Sequence, residues 1–312
     1  MITIWKQNGS GIIHSALLEA HSWVHVTDPT PFEIATLEAE HGVPQDVIAD
    51  MLDADERSRW EREDAIQIII MRVPCHDAQK DVPYFTIPLG IILLPELIVT
   101  VCLQENPVVS DLSENKVRHL NLHNKNNFIL NVFVRTLSYF LRYLKEINRQ
   151  TSVIEQELHR SVRNDELVRL LRMEKALVYF TTSLKSNELL LDKLKRTTLH
   201  ALTEEESDIL EDIETEQRQT IEMSNIYSNI LTGMMDAFAS VISNNLNVVM
   251  KRLTIISIVL MIPTFFASLY GMNVALPFQH SPFAFLGIVV VSGFAAGISG
   301  LLFSYFNRRW KF

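Results

Sequence analysis

From Leu253 onward the chain contains no Asp, Glu, Lys or Arg until Arg308, and the charge-free stretch is broken only by a short polar segment from Gly271 to Pro282. Backbone N–H and C=O groups in hydrocarbon have no water to bond, so an apolar run that crosses a bilayer must satisfy them within a helix or a closed barrel. Leu253 to Tyr270 supplies roughly 18 uncharged residues, just enough to span, and Phe283 to Phe306 roughly 24, enough to span with tilt. Two such runs close together have no soluble core to enter, so they are predicted to be transmembrane helices. Lys251 and Arg252 precede the first run, Arg308, Arg309 and Lys311 follow the second, and the connecting segment carries neither Lys nor Arg. The positive-inside rule then places both termini in the cytoplasm and the connection outside, in a multi-pass protein of the cell membrane.

The average composition, 47% hydrophobic and 21% charged over 312 residues, conceals this segregation. A formal net charge of −9 argues against a nucleic-acid surface, which needs basic groups to neutralise phosphates, and suits cations. Cys75 and Cys102 match no metal or redox spacing and are expected to be core residues in a reducing compartment. The start, "MITIWKQNGSGII", lacks a basic stretch followed by an apolar one, so no cleaved signal peptide is expected. No phosphate-binding GxxxxGK[ST], HExxH or GxSxG occurs, and no enzyme activity or resident cofactor is expected.

The pattern predicts an α+β chain. Ile2 to Trp5, Trp23 to Val26 and "AIQIIIMRV" (Ala65 to Val73) have strand character, and "FTIPLGIILLPELIVTVCL" reads as two strands about a turn at Pro95-Glu96. "TPFEIATLEAEHG" is a capped helix, with Thr30 as N-cap, Pro31 at the first position and Gly42 as stop. Residues 1–126 thus form an N-terminal cytoplasmic α/β domain. No proline lies between Pro107 and Pro263, and Gly233 is the only glycine between Gly90 and Gly271, so residues 127–251 are long helices. They are predicted over Phe128 to Val162, Glu166 to about Leu199, and from Thr203, whose "TEEE" forms a capping box, to Tyr270. A helix of that length cannot bury itself in one domain and implies an oligomeric bundle or stalk. Residues 252–312 are the membrane region, with spans at 252–270 and 283–306, the external connection at 271–282, and a basic tail.

In steps of three and four residues the third helix presents Asn225, Asn229, Thr232, Asp236, Ser240, Ser243, Asn247, Met250, Thr254, Ser257, Met261, Thr264, Ser268 and Gly271. Nearly all are polar or small, whereas Ile226, Val241, Ile255, Ile258 and Phe265 flank them, so the stripe is a face. Two accounts fit. Small and hydroxyl residues line helix–helix contacts in membranes, and a polar face also lines an aqueous path around a symmetry axis. The second explains better why the stripe continues below the membrane through Asn247, Asp236 and Asn229. On the second span, Gly293 and Gly297 stand in GxxxG spacing beside the row Ser292, Ala296, Gly300, which suits a helix packed outside the first.

The first span ends in "YGMN" (Tyr270 to Asn273), and the whole segment "SVISNNLNVVMKRLTIISIVLMIPTFFASLYGMN" resembles the pore helix of the CorA family of magnesium channels. The basic end "NRRWKF" and the order of an α/β domain, long helices and two spans are similar as well. The resemblance implies a funnel-shaped homopentamer, its central pore lined by the first span, for influx of Mg²⁺, with Co²⁺ and Ni²⁺ as further candidate ions and Mg²⁺ as both substrate and regulatory ligand. It further implies that Gly271 and Asn273 form the outer selectivity ring, that Thr264 and Asn247 are polar pore positions, and that Met250, Leu253 and Met261 form a hydrophobic constriction, and Ser257 joins the pore positions as a member of the stripe. Asp236 matches a carboxylate ring in the cytoplasmic neck. Leu253 lies off the stripe, and the resemblance alone places it in the gate. Asp50, in "DVIADMLDADERSRWE", and Asp212 correspond to acidic residues that bind divalent ions between subunits and hold the gate shut.

Neutral oxygens suit such a path because Mg²⁺ prefers six oxygens and sheds water reluctantly, so a ring that contacts its hydration shell allows both entry and release. The sequence departs from the family pattern in the external connection, where "VALPFQHSPF" (Val274 to Phe283) lacks the acidic residues of many relatives and offers Gln279 and His280. Two rival readings stand beside the channel. One is a proton-coupled Zn²⁺ transporter of the same superfamily, and the other is a membrane-anchored scaffold that transports nothing.

Overall fold

The computed structural model describes residues 1–9, 11–63, 66–160, 164–199, 202–273, 277 and 282–309, and divides into two compact units, Met1–Met235 and Asp236–Phe312. The first unit is built on a seven-stranded sheet. In chain order its strands are β1 (Ile2–Asn8), β2 (Gly11–Ser15), β3 (Ser22–Thr27), β4 (Arg59–Glu63), β5 (Ile66–His76), β6 (Tyr84–Leu94) and β7 (Leu97–Cys102). The spatial order is β2-β1-β3-β7-β6-β5-β4, with β3 and β7 parallel and every other pair antiparallel. The two-residue turn at Pro95-Glu96 pairs Leu94 with Leu97, as the sequence predicts. The expected strand from Ala65 extends to His76, and Ala65 itself lies outside the described residues.

Helices cover both faces of this sheet, which is why its central strands read as continuous apolar runs and not as alternation. One face carries Val24, Val26, Ile68, Ile70, Ile92, Val99 and Val101 against α1 (Pro31–His41) and α2 (Gln45–Met51). The residues between them face the other helices: the Trp23 ring meets Phe128 on α4 (Lys125–Arg160), and Thr136 on the same helix donates to Met71 Sδ. The helix α3 (Pro107–Ser113) and the long α5 (Asn164–Thr197) complete the unit together with the start of α6 (Glu204–Tyr270). The expected N-cap at Thr30 forms as a full capping box, and so does the expected box at Thr203. Glu33 N donates to Thr30 Oγ1 at 3.3 Å and Thr30 N to Glu33 Oε2 at 2.8 Å, while Glu206 N donates to Thr203 Oγ1 at 3.2 Å and Thr203 N to Glu206 Oε2 at 2.9 Å. Gly42 closes α1 in the left-handed region at φ 68°, where a Cβ would be strained. The expected helix end at Val162 lies outside the described residues.

Several polar side chains inside the sheet domain are paired across elements. Asn187 on α5 accepts from Ser58 Oγ at 2.7 Å and Arg72 N at 2.9 Å and donates to the Arg72 carbonyl at 2.8 Å, which ties α5 to the strand edge. His25 lies between Thr100 Oγ1 and Thr27 Oγ1, each 2.8 Å from a ring nitrogen. Burial pushes the His25 pKa down to about 4 against the opposing hydrogen bond from Thr100, so the folded chain holds a neutral imidazole. A depressed histidine pKa contributes stability that is present above about 6.5 and lost as the pH falls towards 4, because only the unfolded chain takes up the proton. Urea unfolding followed by tryptophan fluorescence should therefore lose up to about 3 kcal/mol between pH 7 and pH 4 through this residue, and His25→Gln should show a shallower dependence over that range.

Candidate functional site

Asp50 sits near the end of α2, and a close backbone approach fixes that helix on the sheet. A Cβ at Gly90 of β6 would overlap Met51 Sδ and Cγ, so only glycine leaves room for the Met51 side chain. Val47, Ile48 and Met51 are buried on this face, which turns the Asp50 carboxylate outward with 53% of its side chain exposed. Arg59 Nη2, from β4, donates to Asp50 Oδ2 at 2.7 Å. Asp212, on the first turns of α6 within the same unit, is exposed. Among the described residues no three His, Cys, Asp or Glu side chains converge as a metal would require, so a single chain brings neither aspartate into a ligand set.

The second unit holds the remainder of α6 and α7 (Ala284–Arg309). By length and composition both helices can cross a membrane. On α6, Ile255, Val259, Ile262, Phe266 and Leu269 are half-buried. On α7 the matching positions are Ile288, Ser292, Ala295, Ala296 and Ser299. Their spacing of three and four makes one face on each helix, the geometry of two helices laid side by side. The row Ser292, Ala296, Gly300 lies on the covered side of α7, whereas Gly293 and Gly297 of the GxxxG pair are exposed.

At 100° per residue the polar stripe lies about 150° around α6 from this covered face. Asp236, Asn247, Met250, Leu253, Ser257, Met261 and Thr264 are all exposed in the single chain. The hydroxyls on the stripe bond back into their own helix: Thr254 Oγ1 donates to the Met250 carbonyl at 2.9 Å, Ser257 Oγ to Leu253 at 2.9 Å and Thr264 Oγ1 to Leu260 at 3.0 Å. Each hydroxyl therefore spends its proton locally and turns oxygen lone pairs outward. Sequence reasoning found the stripe but not this polarity, which depends on side-chain rotamers. The local reason was available in the residue types, since serine and threonine in helices reach back to the fourth preceding carbonyl.

The helix ends at Tyr270, and Gly271 N donates to the Ala267 carbonyl at 3.0 Å. A Cβ at Gly271 would lie 3.3 Å from that oxygen and 3.4 Å from the Ser268 carbonyl, closer than most side chains tolerate. Asn273 follows two residues on and is exposed, and Tyr270 Oη donates to the Pro277 carbonyl at 3.2 Å. Gln279 and His280, and most of the connection, lie outside the described residues. Pro263 interrupts the helix's hydrogen bonding by removing the donor that would reach Val259, on the side away from the stripe.

A mixed sheet domain, three long helices of which the last ends in an apolar segment with a polar face and a Gly-Met-Asn end, and one further apolar helix have the layout of a membrane transporter. The sequence profile of the family described as CorA-like Mg2+ transporter protein matches residues 19–309, and the chain belongs to that family. The cobalt/magnesium transport protein CorA of Methanocaldococcus jannaschii is 27% identical over 305 residues, which cover 92% of this chain and 90% of the relative. The complete structure of the CorA magnesium transporter from the same organism superposes with a TM-score of 0.79 at 24% identity, over 99% of this chain and 98% of that one. The cytoplasmic domain of ZntB from Vibrio parahaemolyticus matches less well, with a TM-score of 0.60 and 12% identity over 78% of this chain and 97% of that one. At such identities the structural likeness establishes the fold.

The Gly90–Met51 contact yields a test of how α2 is held. Gly90→Ala is expected to cost about 1–3 kcal/mol in chemical denaturation, because the new methyl group displaces Met51 and with it the turn that carries Asp50.

Proposed function

We propose that the chain assembles as a funnel-shaped homopentamer in the cell membrane, with both termini in the cytoplasm, and conducts Mg²⁺ inward through a central pore lined by α6. Co²⁺ and Ni²⁺ are further candidate substrates. In this reading residues 1–126 form the cytoplasmic domain, 127–251 the stalk and 252–312 the pore. The supporting observation is the polar stripe on α6, exposed in the single chain and set about 150° from the face turned to α7. Within the span its line of hydroxyls has no low-energy place against lipid and is satisfied around a shared axis filled with water, and the amides and carboxylate of the same face continue that line below the membrane.

The chemistry of the stripe fits a hydrated cation. Water bound to Mg²⁺ donates its protons outward, and Ser257 and Thr264, their own protons committed to the helix, meet those waters as acceptors. Gly271 permits the close turn that brings Asn273 to the mouth, where its amide oxygen touches the hydration shell without stripping it. Met250, Leu253 and Met261 close the path by dewetting, and Asn247 and Asp236 carry the ion on into the cytoplasmic neck. A membrane potential of 100 mV supplies about 4.6 kcal/mol to a doubly charged ion, so the path needs neither ATP nor catalysis.

The same reading assigns Asp50 and Asp212 to regulation. Divalent ions bridging these carboxylates between neighbouring subunits hold the assembly shut, and their loss when cytoplasmic Mg²⁺ falls lets the carboxylates repel and biases the pore open.

The deciding measurement is divalent uptake into proteoliposomes holding the purified chain, with Mg²⁺ and Zn²⁺ tested separately under an imposed voltage and no pH gradient. Voltage-driven Mg²⁺ entry is expected, and Asn273→Ala should reduce it at least roughly tenfold, the scale of a lost hydrogen bond to a charged group. Zn²⁺ flux that appears only when protons are supplied would replace the channel with a coupled transporter, and no flux of either ion would leave a scaffold. Divalent-dependent protection from proteolysis that survives replacing both Asp50 and Asp212 would remove the regulatory assignment while leaving the pore intact.

A further inference from the structure

Asp50 already has a cation beside it. Arg59 Nη2 donates to Asp50 Oδ2 at 2.7 Å, Nη1 donates to Glu56 Oε1, and Nε lies 3.0 Å from Glu61 Oε1. Among the described residues Arg59 is the only cation paired with the Asp50 carboxylate. The arginine side chain is 24% exposed and the aspartate 53%, so an ion in solution can reach the pair.

Two features make the pair exchangeable and not merely structural. First, Arg59 keeps two other carboxylates when it loses Asp50, so release leaves no orphaned guanidinium, the outcome that makes most partly buried pairs costly to break. Second, the arginine cannot drift away. Arg72 Nη1 holds the preceding loop through the Ala54 and Glu56 carbonyls at 2.6 and 2.9 Å, and Ser58 is fastened to α5 through Ser186 Oγ at 3.1 Å and Asn187 Oδ1 at 2.7 Å. The guanidinium is therefore presented to Asp50 at a fixed and high effective concentration.

We propose that Arg59 is a tethered competitor for the divalent ion at Asp50, and that it sets the cytoplasmic Mg²⁺ level at which the sensor fills. The inference rests on the assignment of Asp50 to regulation given above. A divalent ion takes the carboxylate by ion exchange: the metal–oxygen contact replaces the Nη2–Oδ2 hydrogen bond, and Arg59 stays with Glu56 and Glu61. The competing contact lowers divalent affinity and so raises the Mg²⁺ concentration needed to close the path.

The test is a Mg²⁺ titration of protection from limited proteolysis on the full-length chain, repeated as inhibition of flux in proteoliposomes. Arg59→Gln is expected to lower the half-protecting Mg²⁺ concentration roughly two- to fivefold, the range of an exposed ion pair. Arg59→Lys, which keeps the charge but loses the planar fork, should shift it less and guards against a folding defect in the glutamine variant. Arg57→Gln removes the same charge from the exposed loop just before β4, at a side chain that makes no hydrogen bond or ion pair with Asp50, and should move the midpoint by less than half as much. In an Asp50→Asn background the substitution at Arg59 should have no further effect. An unchanged or raised midpoint for Arg59→Gln, while Asp50→Asn raises it, overturns the competitor and leaves the sensor standing. Equal shifts for Arg57→Gln and Arg59→Gln also overturn it, since general electrostatics would then suffice. A titration that Asp50→Asn does not alter removes the sensor assignment and this inference with it.

Discussion

A hydroxyl or amide on a helix in hydrocarbon costs free energy until it meets water or another polar group, and α6 carries a line of them along its length. The second unit answers that constraint in layers. The apolar side of α6, from Ile255 to Leu269, is half-buried, as is the side of α7 that carries Ser292 and Ala296. The hydroxyls of Thr254, Ser257 and Thr264 return their protons to the helix backbone. What is left unmatched within one chain is a row of lone pairs and two thioethers, and that remainder is the feature on which the proposed pore depends.

The sheet domain meets the opposite demand. Its central strands are buried on both faces, where an unpaired polar group is costly, and the pairings that form fall where the chain needs fastening. Asn187 joins α5 to Ser58 and Arg72. The Arg72 guanidinium, its pKa lowered by burial against the nearby Asp55 and Asp53 charges, gathers the Ala54–Glu56 segment and Thr86. These contacts hold the acidic loop after α2 in place, and with it the carboxylates around Arg59.

The sequence made the long elements legible for physical reasons. Continuous β-branched runs announce strands buried on both sides, the absence of proline and glycine announces helices, and loss of charge over a bilayer's length announces spans. The short elements were hidden. β4, "RWERE", is an edge strand with exposed charges at Glu61, Arg62 and Glu63, and α2 is under two turns long, too short for a helical period to emerge. The pore stripe was visible because it follows one helix. The Arg59–Asp50 pair was not, because it joins a helix end to a strand and depends on how α2 is docked, which no spacing along the chain encodes.

The fit of Met51 over Gly90 couples the packed interior to the surface charge beside it. A methyl group added under α2, or a bulkier side chain at position 51, would tilt the helix and change the distance between Asp50 and Arg59 without altering any ionisable residue. In the proposed sensor, ion responsiveness can therefore drift through the hydrophobic core. Two chains with identical acidic residues can respond at different concentrations, and comparing their carboxylates alone would miss the cause.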